Sequence, residues 1–109
     1  MKLIKCIIQP FKLNEVVPAL HRIAPGMTVS DVKGIGRQKG HPILYRGVEY
    51  EQPLLHKVMI EIVIEDNKVD DIVQLVTEIA RTGNIGDGRI FVVPLESSYH
   101  IRTGFMEFD

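Results

Sequence analysis

Residues 34–51 divide this chain, because the segment contains few residues that could contribute to a hydrophobic core. Its first seven residues, 34–40, include three glycines and two basic side chains, and two tyrosines follow. A domain of 109 residues rarely carries so long a connection unless the connection is functional or disordered. The regular elements of the fold must therefore lie before and after it.

Strand-like alternation and helical spacing predict a similar unit on each side of this segment. In chain order, the predicted elements are strand 2–9, helix 12–24, strand 27–36, strand 57–64, helix 69–80 and strand 89–95. Within the first helix, Pro18 predicts a strained or late start. For the second helix, Asp66 and Asn67 supply an N-cap and Gly83 the C′ glycine.

Two βαβ-like halves of this kind predict an α+β fold, the ferredoxin-like βαββαβ sandwich, with a long loop between strands 2 and 3. Both helices would then cover one face of the sheet. The other face would carry Leu3, Ile7, Met59 and Val63, which is too apolar for open water. We expect an oligomer to cover that face. No second domain is indicated, so residues 1–109 form a single domain.

Composition excludes several classes of function. Thirteen basic and fourteen acidic residues give a net charge of −1, so no overall positive field attracts nucleic acid. The single cysteine, Cys6, lies in an apolar run and is expected to be a buried hydrophobic residue. No segment resembles a signal peptide or approaches the ~20 apolar residues of a transmembrane helix. We therefore expect a cytoplasmic protein without direct membrane insertion.

Three segments combine glycine or basic residues at the ends of predicted strands: 34–40, 83–89 and 100–102. Glycines allow backbone N–H groups to approach an anion. Asp87 could hold the second segment in shape by accepting backbone hydrogen bonds, which leaves Arg89 available for phosphate. In the third, alternation places His100 and Arg102 on one strand face.

Each segment also has a simpler structural interpretation. The first could be a flexible strand-to-loop junction, the second a helix C-cap followed by a turn, and the third a solvated tail. None contains an evident nucleophile, and the four histidines lack the spacing of a metal site. Taken together, the three segments favour binding of a polyphosphate without turnover.

Several motifs resemble the PII nitrogen-regulatory signal-transduction proteins, in order along residues 1 to about 104. The motifs are Pro-Phe-Lys-Leu at 10–13, Met-Thr-Val at 27–29, Val-Lys-Gly-Ile-Gly-Arg-Gln-Lys-Gly-His at 32–41, Leu-Tyr-Arg-Gly-Val-Glu-Tyr at 44–50, Lys57, Thr-Gly-Asn-Ile-Gly-Asp-Gly-Arg-Ile-Phe at 82–91 and Ile-Arg-Thr-Gly at 101–104. The resemblance implies a homotrimer that binds ATP or ADP in clefts between subunits and, with Mg-ATP, 2-oxoglutarate. It also implies an effector loop at about 37–55, which docks on an ammonium transporter, a nitrogen-metabolism enzyme or a uridylyltransferase, and a C-terminal tail at about 96–109.

The resemblance assigns site residues by position. Those implied for nucleotide binding are Ile7, Thr28, Gly34, Gly36, Arg37, Gln38, Val63, Gly86, Asp87, Gly88, Arg89, His100 and Arg102. Of these, His100 and Arg102 would reach the phosphates from the neighbouring subunit. Those implied for 2-oxoglutarate are Gln38, Lys39, Gly40 and Lys57. Gln38 would also ligate Mg²⁺, Tyr50 matches the tyrosine that is uridylylated in many bacterial members, and no residue is implied to be catalytic.

Three positions depart from the family pattern. Arg89 stands where a lysine is usual, His100 where an arginine is usual, and Ser97 replaces another basic residue. A neutral imidazole makes no charge-assisted bond to phosphate, so we predict weaker nucleotide binding that tightens at acid pH. The tail at 105–109 is also unusually apolar and either packs on the trimer or is disordered.

These departures leave other functions open. One is a specialised paralogue that senses adenine nucleotides without 2-oxoglutarate and regulates a different transporter or enzyme. A slow ATPase or acyl-phosphate hydrolase on the same fold is a second, and a structural or metal-tolerance trimer is a third. The phosphate segments lack a general base other than Asp87, which disfavours the hydrolase.

Overall fold

The computed structural model describes residues 1–35, 43–45, 48–50 and 54–107, with only the backbone described for the two short stretches. Its strands and helices, in chain order, are β1 (Lys2–Ile8), α1 (Leu13–His21), β2 (Thr28–Gly34), β3 (Ile43–Tyr45), β4 (Val48–Tyr50), β5 (Leu55–Ile64), α2 (Val69–Ala80) and β6 (Gly88–Pro94). A single 3₁₀ turn precedes each helix, at Pro10–Lys12 and Asp66–Lys68. No helix in this part of the chain is long and apolar enough to cross a membrane.

The main sheet has four strands in the order β2-β5-β1-β6, and all neighbouring strands are antiparallel. With two helices packed on it, this arrangement confirms the predicted α+β, ferredoxin-like fold. The long loop lies between β2 and β5, as predicted. Within it, β3 and β4 pair as a small antiparallel ladder that the sequence interpretation did not include.

Alternation along the strands determines which face of the sheet forms the core. Ile4 pairs with Ile62 and Cys6 with Ile60, and all four side chains are buried. The helices contribute residues at 3.6-residue spacing to the same core, which explains why both helices lie on this face. In the part of the chain whose side chains are described, the remaining buried apolar residues are Ile8, Val16, Leu20, Ala24, Val58, Ile64, Ile72, Val76 and Ala80.

The opposite face of the sheet is rich in apolar residues, and neither helix covers it. Across it, Leu3 pairs with Val63 and Ile7 with Met59, as the alternation predicted. Val63 is 40% exposed, and Phe91 on β6 is 43% exposed. We call this surface the open face.

The start of the first helix differs from the prediction. Helix α1 begins at Leu13, directly after the 3₁₀ turn, and continues through Pro18 to His21. The start is therefore not late. Val16 and Leu20 on either side of the proline are fully buried, so their packing maintains the helix despite the missing N–H group.

The predicted ends of the second helix were also wrong. The N-cap of α2 is Lys68, without a side-chain cap, because Asp66 instead accepts a hydrogen bond from Lys2 Nζ at 2.9 Å. At the other end, the C-cap is Arg81 in an extended conformation. Gly83, with φ of +89°, therefore lies beyond the C′ position, within the following turn.

Candidate functional site

The turn at residues 82–88 connects α2 to β6 and is organised from within by Asp87. One carboxylate oxygen accepts hydrogen bonds from the backbone N–H groups of Thr82 and Gly83, at 2.8 and 2.9 Å. The other accepts a short bond from the Thr82 hydroxyl. These bonds hold the pKa of Asp87 below its usual value, and the bond from the Thr82 side chain contributes most, followed by that from the Thr82 backbone. The structure thus confirms the predicted shaping role of Asp87.

Close contact between strands requires glycine at the end of this turn. Gly88 has φ of +122°, and a Cβ built on it would lie 1.8 Å from the carbonyl oxygen of Ile7. Any other residue would therefore separate β6 from β1 at this point. The close approach positions the next residue, Arg89, opposite Ile7 on the open face.

Two side chains from other strands hold the outside of the turn. Gln9, at the end of β1, donates from Nε2 to the Gly86 carbonyl at 2.9 Å, and Lys57 on β5 donates from Nζ to the same oxygen at 2.7 Å. Lys57 is only 8% exposed. Burial lowers the pKa of Lys57, while the nearby Asp87 carboxylate acts in the opposite direction.

The turn forms one wall of a cleft of about 510 Å³, which we call the glycine cleft. Its lining residues are Ile7, Gly34, Ile35, Leu55, Lys57, Asn84, Ile85, Gly86, Asp87, Gly88 and Arg89. Seven of the eleven were expected at a ligand site. Sequence reasoning missed Ile35, Leu55, Asn84 and Ile85, which adjoin expected residues in sequence or pairing. It also missed Gln9, whose side chain reaches a residue 77 positions away, a contact that no local pattern indicates.

Thr28 and Val63 do not line the glycine cleft. They lie at the other end of the open face, in a second cleft of about 540 Å³, which we call the Val63 cleft. Lys57 and Val63 are six residues apart on β5, which corresponds to about 20 Å along a strand. Within one chain, the residues expected to bind nucleotide therefore lie in two separate groups.

The C-terminal tail associates with the Val63 cleft, because Glu107 is among the residues that line it. Residues 98–107 form a hairpin in which Tyr99 pairs with Met106. His100 Nε2 lies 4.0 Å from a Glu107 carboxylate oxygen, and Ser98 Oγ donates to the other oxygen at 3.0 Å. His100 and Arg102 are thus carried on the same hairpin as Glu107.

The prediction that His100 and Arg102 share a strand face was wrong. Residues 101–103 form a turn, because Gly104 N–H donates to the His100 carbonyl at 2.8 Å and Gly104 adopts φ of +72°. Both side chains are exposed, so they are available to a second molecule.

Several expected site residues lie outside the described part of the chain. These are Gly36, Arg37, Gln38, Lys39 and Gly40. For Tyr50 only the backbone is described, as the last residue of β4. Gly34, at the end of β2, does line the glycine cleft, so the chain enters the undescribed segment beside that cleft.

Comparison with known proteins identifies the family of this chain. Residues 1–105 match the family Nitrogen regulatory protein P-II. The nitrogen regulatory protein P-II of Azospirillum brasilense is 53% identical over 105 residues, which cover 95% of this chain and 94% of that protein. At the same coverage of both chains, GlnK of Escherichia coli K12 is 51% identical and P-II of Microchaete diplosiphon is 53% identical. The chain therefore belongs to the P-II family of nitrogen regulatory proteins.

Proposed function

We propose that this protein is a PII-type signal-transduction regulator that binds ATP or ADP between subunits and acts through its effector loop. Membership of the family places it in nitrogen regulation, and its relatives are named as regulatory proteins rather than enzymes. The observation that carries the nucleotide proposal is the glycine cleft, where a rigid turn meets two cations, Lys57 and Arg89.

The glycine cleft suits a phosphate group. Asp87 uses its carboxylate oxygens to hold the turn, so its negative charge is engaged with donors of the turn itself. Arg89 is exposed at the start of β6, and its guanidinium can bind phosphate oxygens in a bidentate manner. Gly86 and Gly88 leave the backbone accessible to a ligand.

A homotrimer would complete the site. The two clefts lie at opposite ends of an apolar face that needs a covering partner. If copies of the chain pack through this face, the glycine cleft of one subunit can meet the Val63 cleft and tail hairpin of the next. Ile7 and Arg89 would then come from one subunit, and Thr28, Val63 and Arg102 from its neighbour. This arrangement supports the homotrimer that the resemblance implies.

Lys57 is the described residue that supports 2-oxoglutarate binding. Its buried ammonium lies at the glycine cleft and would gain a stronger partner in a carboxylate than in a carbonyl. We propose that Gln38, Lys39 and Gly40 complete this subsite and that Gln38 ligates the Mg²⁺ that accompanies ATP. Gly36 and Arg37 would join them in approaching the nucleotide.

The effector loop would report the ligand state to partners in the cytoplasm. Its first residues follow Gly34 at the glycine cleft, so ligands there can change its conformation. We propose an ammonium transporter, a nitrogen-metabolism enzyme or a uridylyltransferase as the partner class, with Tyr50 as the modified residue.

Calorimetric titration tests the proposed function. ATP and ADP should each bind the purified protein, and 2-oxoglutarate should bind only when Mg-ATP is present. Arg89→Met should weaken ATP binding roughly 10- to 150-fold, since a hydrogen bond to a charged group contributes roughly 1.5–3 kcal/mol. Arg22→Met, at the C-terminal end of α1, is the matched control and should leave binding unchanged. Absence of ATP binding by the parent protein would reject the proposal.

The alternative is a specialised paralogue that senses adenine nucleotides without 2-oxoglutarate, and one observation favours a change at its nucleotide site. His100 faces Glu107 at 4.0 Å, so the position that is usually an arginine is next to a competing carboxylate. His100→Arg should therefore bind ATP more tightly than the parent does. Equal ATP affinity of the two proteins would remove this argument, and failure of 2-oxoglutarate to bind with Mg-ATP would favour the paralogue.

A further inference from the structure

The Gly86 carbonyl accepts two hydrogen bonds from side chains of two different strands. Gln9 Nε2 lies at 2.9 Å and Lys57 Nζ at 2.7 Å. These bonds join the ends of β1 and β5 to a turn that is otherwise held by Asp87 from within. The carbonyl is therefore an anchor point of the turn, and its two donors differ in what else they could bind.

Lys57 has a reason to leave this carbonyl when an anion enters. It is a buried cation at the glycine cleft, and the Gly86 oxygen to which it donates is a neutral carbonyl. A carboxylate would form a charge-assisted bond about twice as strong. Lys57 would then turn from the carbonyl to the ligand and reduce its hold on the turn.

Gln9 would gain less from an anionic ligand than Lys57 would. Its amide is neutral, and the residue lies at the N-cap of the 3₁₀ turn without using its side chain as a cap. The side chain instead crosses to the Gly86 carbonyl. Gln9 is thus able to hold the turn while Lys57 binds elsewhere.

We propose that Gln9 is a positioning residue, which keeps the glycine turn anchored through the Gly86 carbonyl when Lys57 moves to a carboxylate ligand. This inference rests on the proposed binding of 2-oxoglutarate and ATP at the glycine cleft. It explains how two ligands can occupy neighbouring parts of one cleft without the first loosening the site of the second. The turn keeps at least one donor on its anchor in every state.

The first test needs no ligand. Gln9→Met and Lys57→Met each remove one donor at similar side-chain length, and the double variant removes both. Amide hydrogen exchange at residues 82–88 should rise about threefold or less in each single variant. In the double variant, the exchange rate should be about ten times higher than the product of the two single-variant increases. The reason is that a carbonyl that has lost both donors costs more than one lost bond. Simple additivity of the two single effects would overturn the shared anchor.

The second test measures coupling between ligands. The dissociation constant of ATP with Mg²⁺ is determined with and without saturating 2-oxoglutarate. In Gln9→Met, ATP binding alone should stay within about twofold of the parent, because Lys57 still holds the turn. With 2-oxoglutarate present, it should weaken about threefold to tenfold relative to the parent. Gln74→Met is the matched control, because the exposed Gln74 amide donates to Glu78 on the same helix and Gln74 does not line the glycine cleft.

The outcomes separate this inference from the proposed function. Equal weakening with and without 2-oxoglutarate would show a merely structural role for Gln9, and no weakening in either condition would also overturn the positioning role. If the parent bound neither ligand, the proposed function would fail and the positioning role with it. The exchange measurement would then still decide whether the two donors share an anchor.

Discussion

The two faces of the sheet carry similar side chains but have different surroundings. Ile60 and Ile62 on the core face are at most 1% exposed, whereas Val63 and Phe91 on the open face are about 40% exposed. The core face is covered by the helices of the same chain. The open face has comparable apolar side chains without such a cover, and both clefts lie at its ends. The comparison indicates that the core face stabilises the fold, and it supports the proposal that the open face serves assembly and binding.

The largest contrast is expected between neighbouring residues of β5. Ile60→Ala should lower the free energy of unfolding by roughly 2–5 kcal/mol, because it leaves a cavity in a close-packed core. Met59→Ala, on the open face, should have an effect that depends on protein concentration, since it acts on association. Denaturant titrations at two protein concentrations would measure both. A concentration-independent loss of the same size for Met59→Ala would break the distinction between the faces.

The core face also predicts an unreactive thiol. Burial raises the pKa of Cys6 from 9.0 to about 11, which lowers the thiolate fraction at neutral pH about a hundredfold. Alkylation should therefore be slow in the folded protein and fast in denaturant. Because the folded pKa is the higher one, this group favours the fold below pH 9 and loses that contribution as pH rises towards 11. Rapid labelling of Cys6 in the native protein at pH 7 would contradict the burial of the core face.

The close approach of β6 to β1 sharpens the comparison at the glycine cleft. Gly88→Ala should destabilise the protein by roughly 1–3 kcal/mol and weaken ATP binding, because the new Cβ collides with the Ile7 carbonyl. Gly26→Ala is the matched control for the stability measurement, since a Cβ there has no neighbour within 4 Å. Thermal unfolding and calorimetry would measure both effects. Equal stability of the two variants would contradict the described strand contact.

The smallest predicted effect concerns acid pH. The carboxylate of Asp87 is held by Thr82, so its pKa in the folded protein lies below 3.8. Its contribution is present above the unfolded value and is lost as pH falls through the folded value. The NMR shifts of the Thr82 and Gly83 amides should therefore change in a transition whose midpoint lies below pH 3.8. Asp87→Asn should remove that transition, and a transition at or above the ordinary value would contradict the hydrogen-bonded turn.

Sequence patterns predicted most of the fold because alternation in β1 and β5 and the apolar stripe of α2 are local signals. They also indicated the role of Asp87, whose partners lie four or five residues away. The wrong predictions came from competition between partners. Asp66 could cap α2 but bonds with Lys2, 64 residues distant.

The remaining parts of the site required three-dimensional information. Gln9 contacts Gly86 only because β1 lies beside β6, and the sequence carries no sign of that contact. The division of the expected nucleotide residues between two clefts also follows from strand direction rather than from motifs. The hairpin at 98–107 depends on hydrogen bonds between its two arms. The alternating pattern at His100 and Arg102 does not indicate these bonds.

Complementation between subunits tests the central claim most directly. Arg89→Met alters the glycine cleft, and Arg102→Met alters the tail hairpin that associates with the other cleft. Each variant alone should bind ATP weakly at every site. Oligomers assembled from both variants together should regain a fraction of high-affinity sites by calorimetry, because some interfaces combine two unaltered halves. Mixed oligomers with no regained sites would contradict a nucleotide site shared between copies.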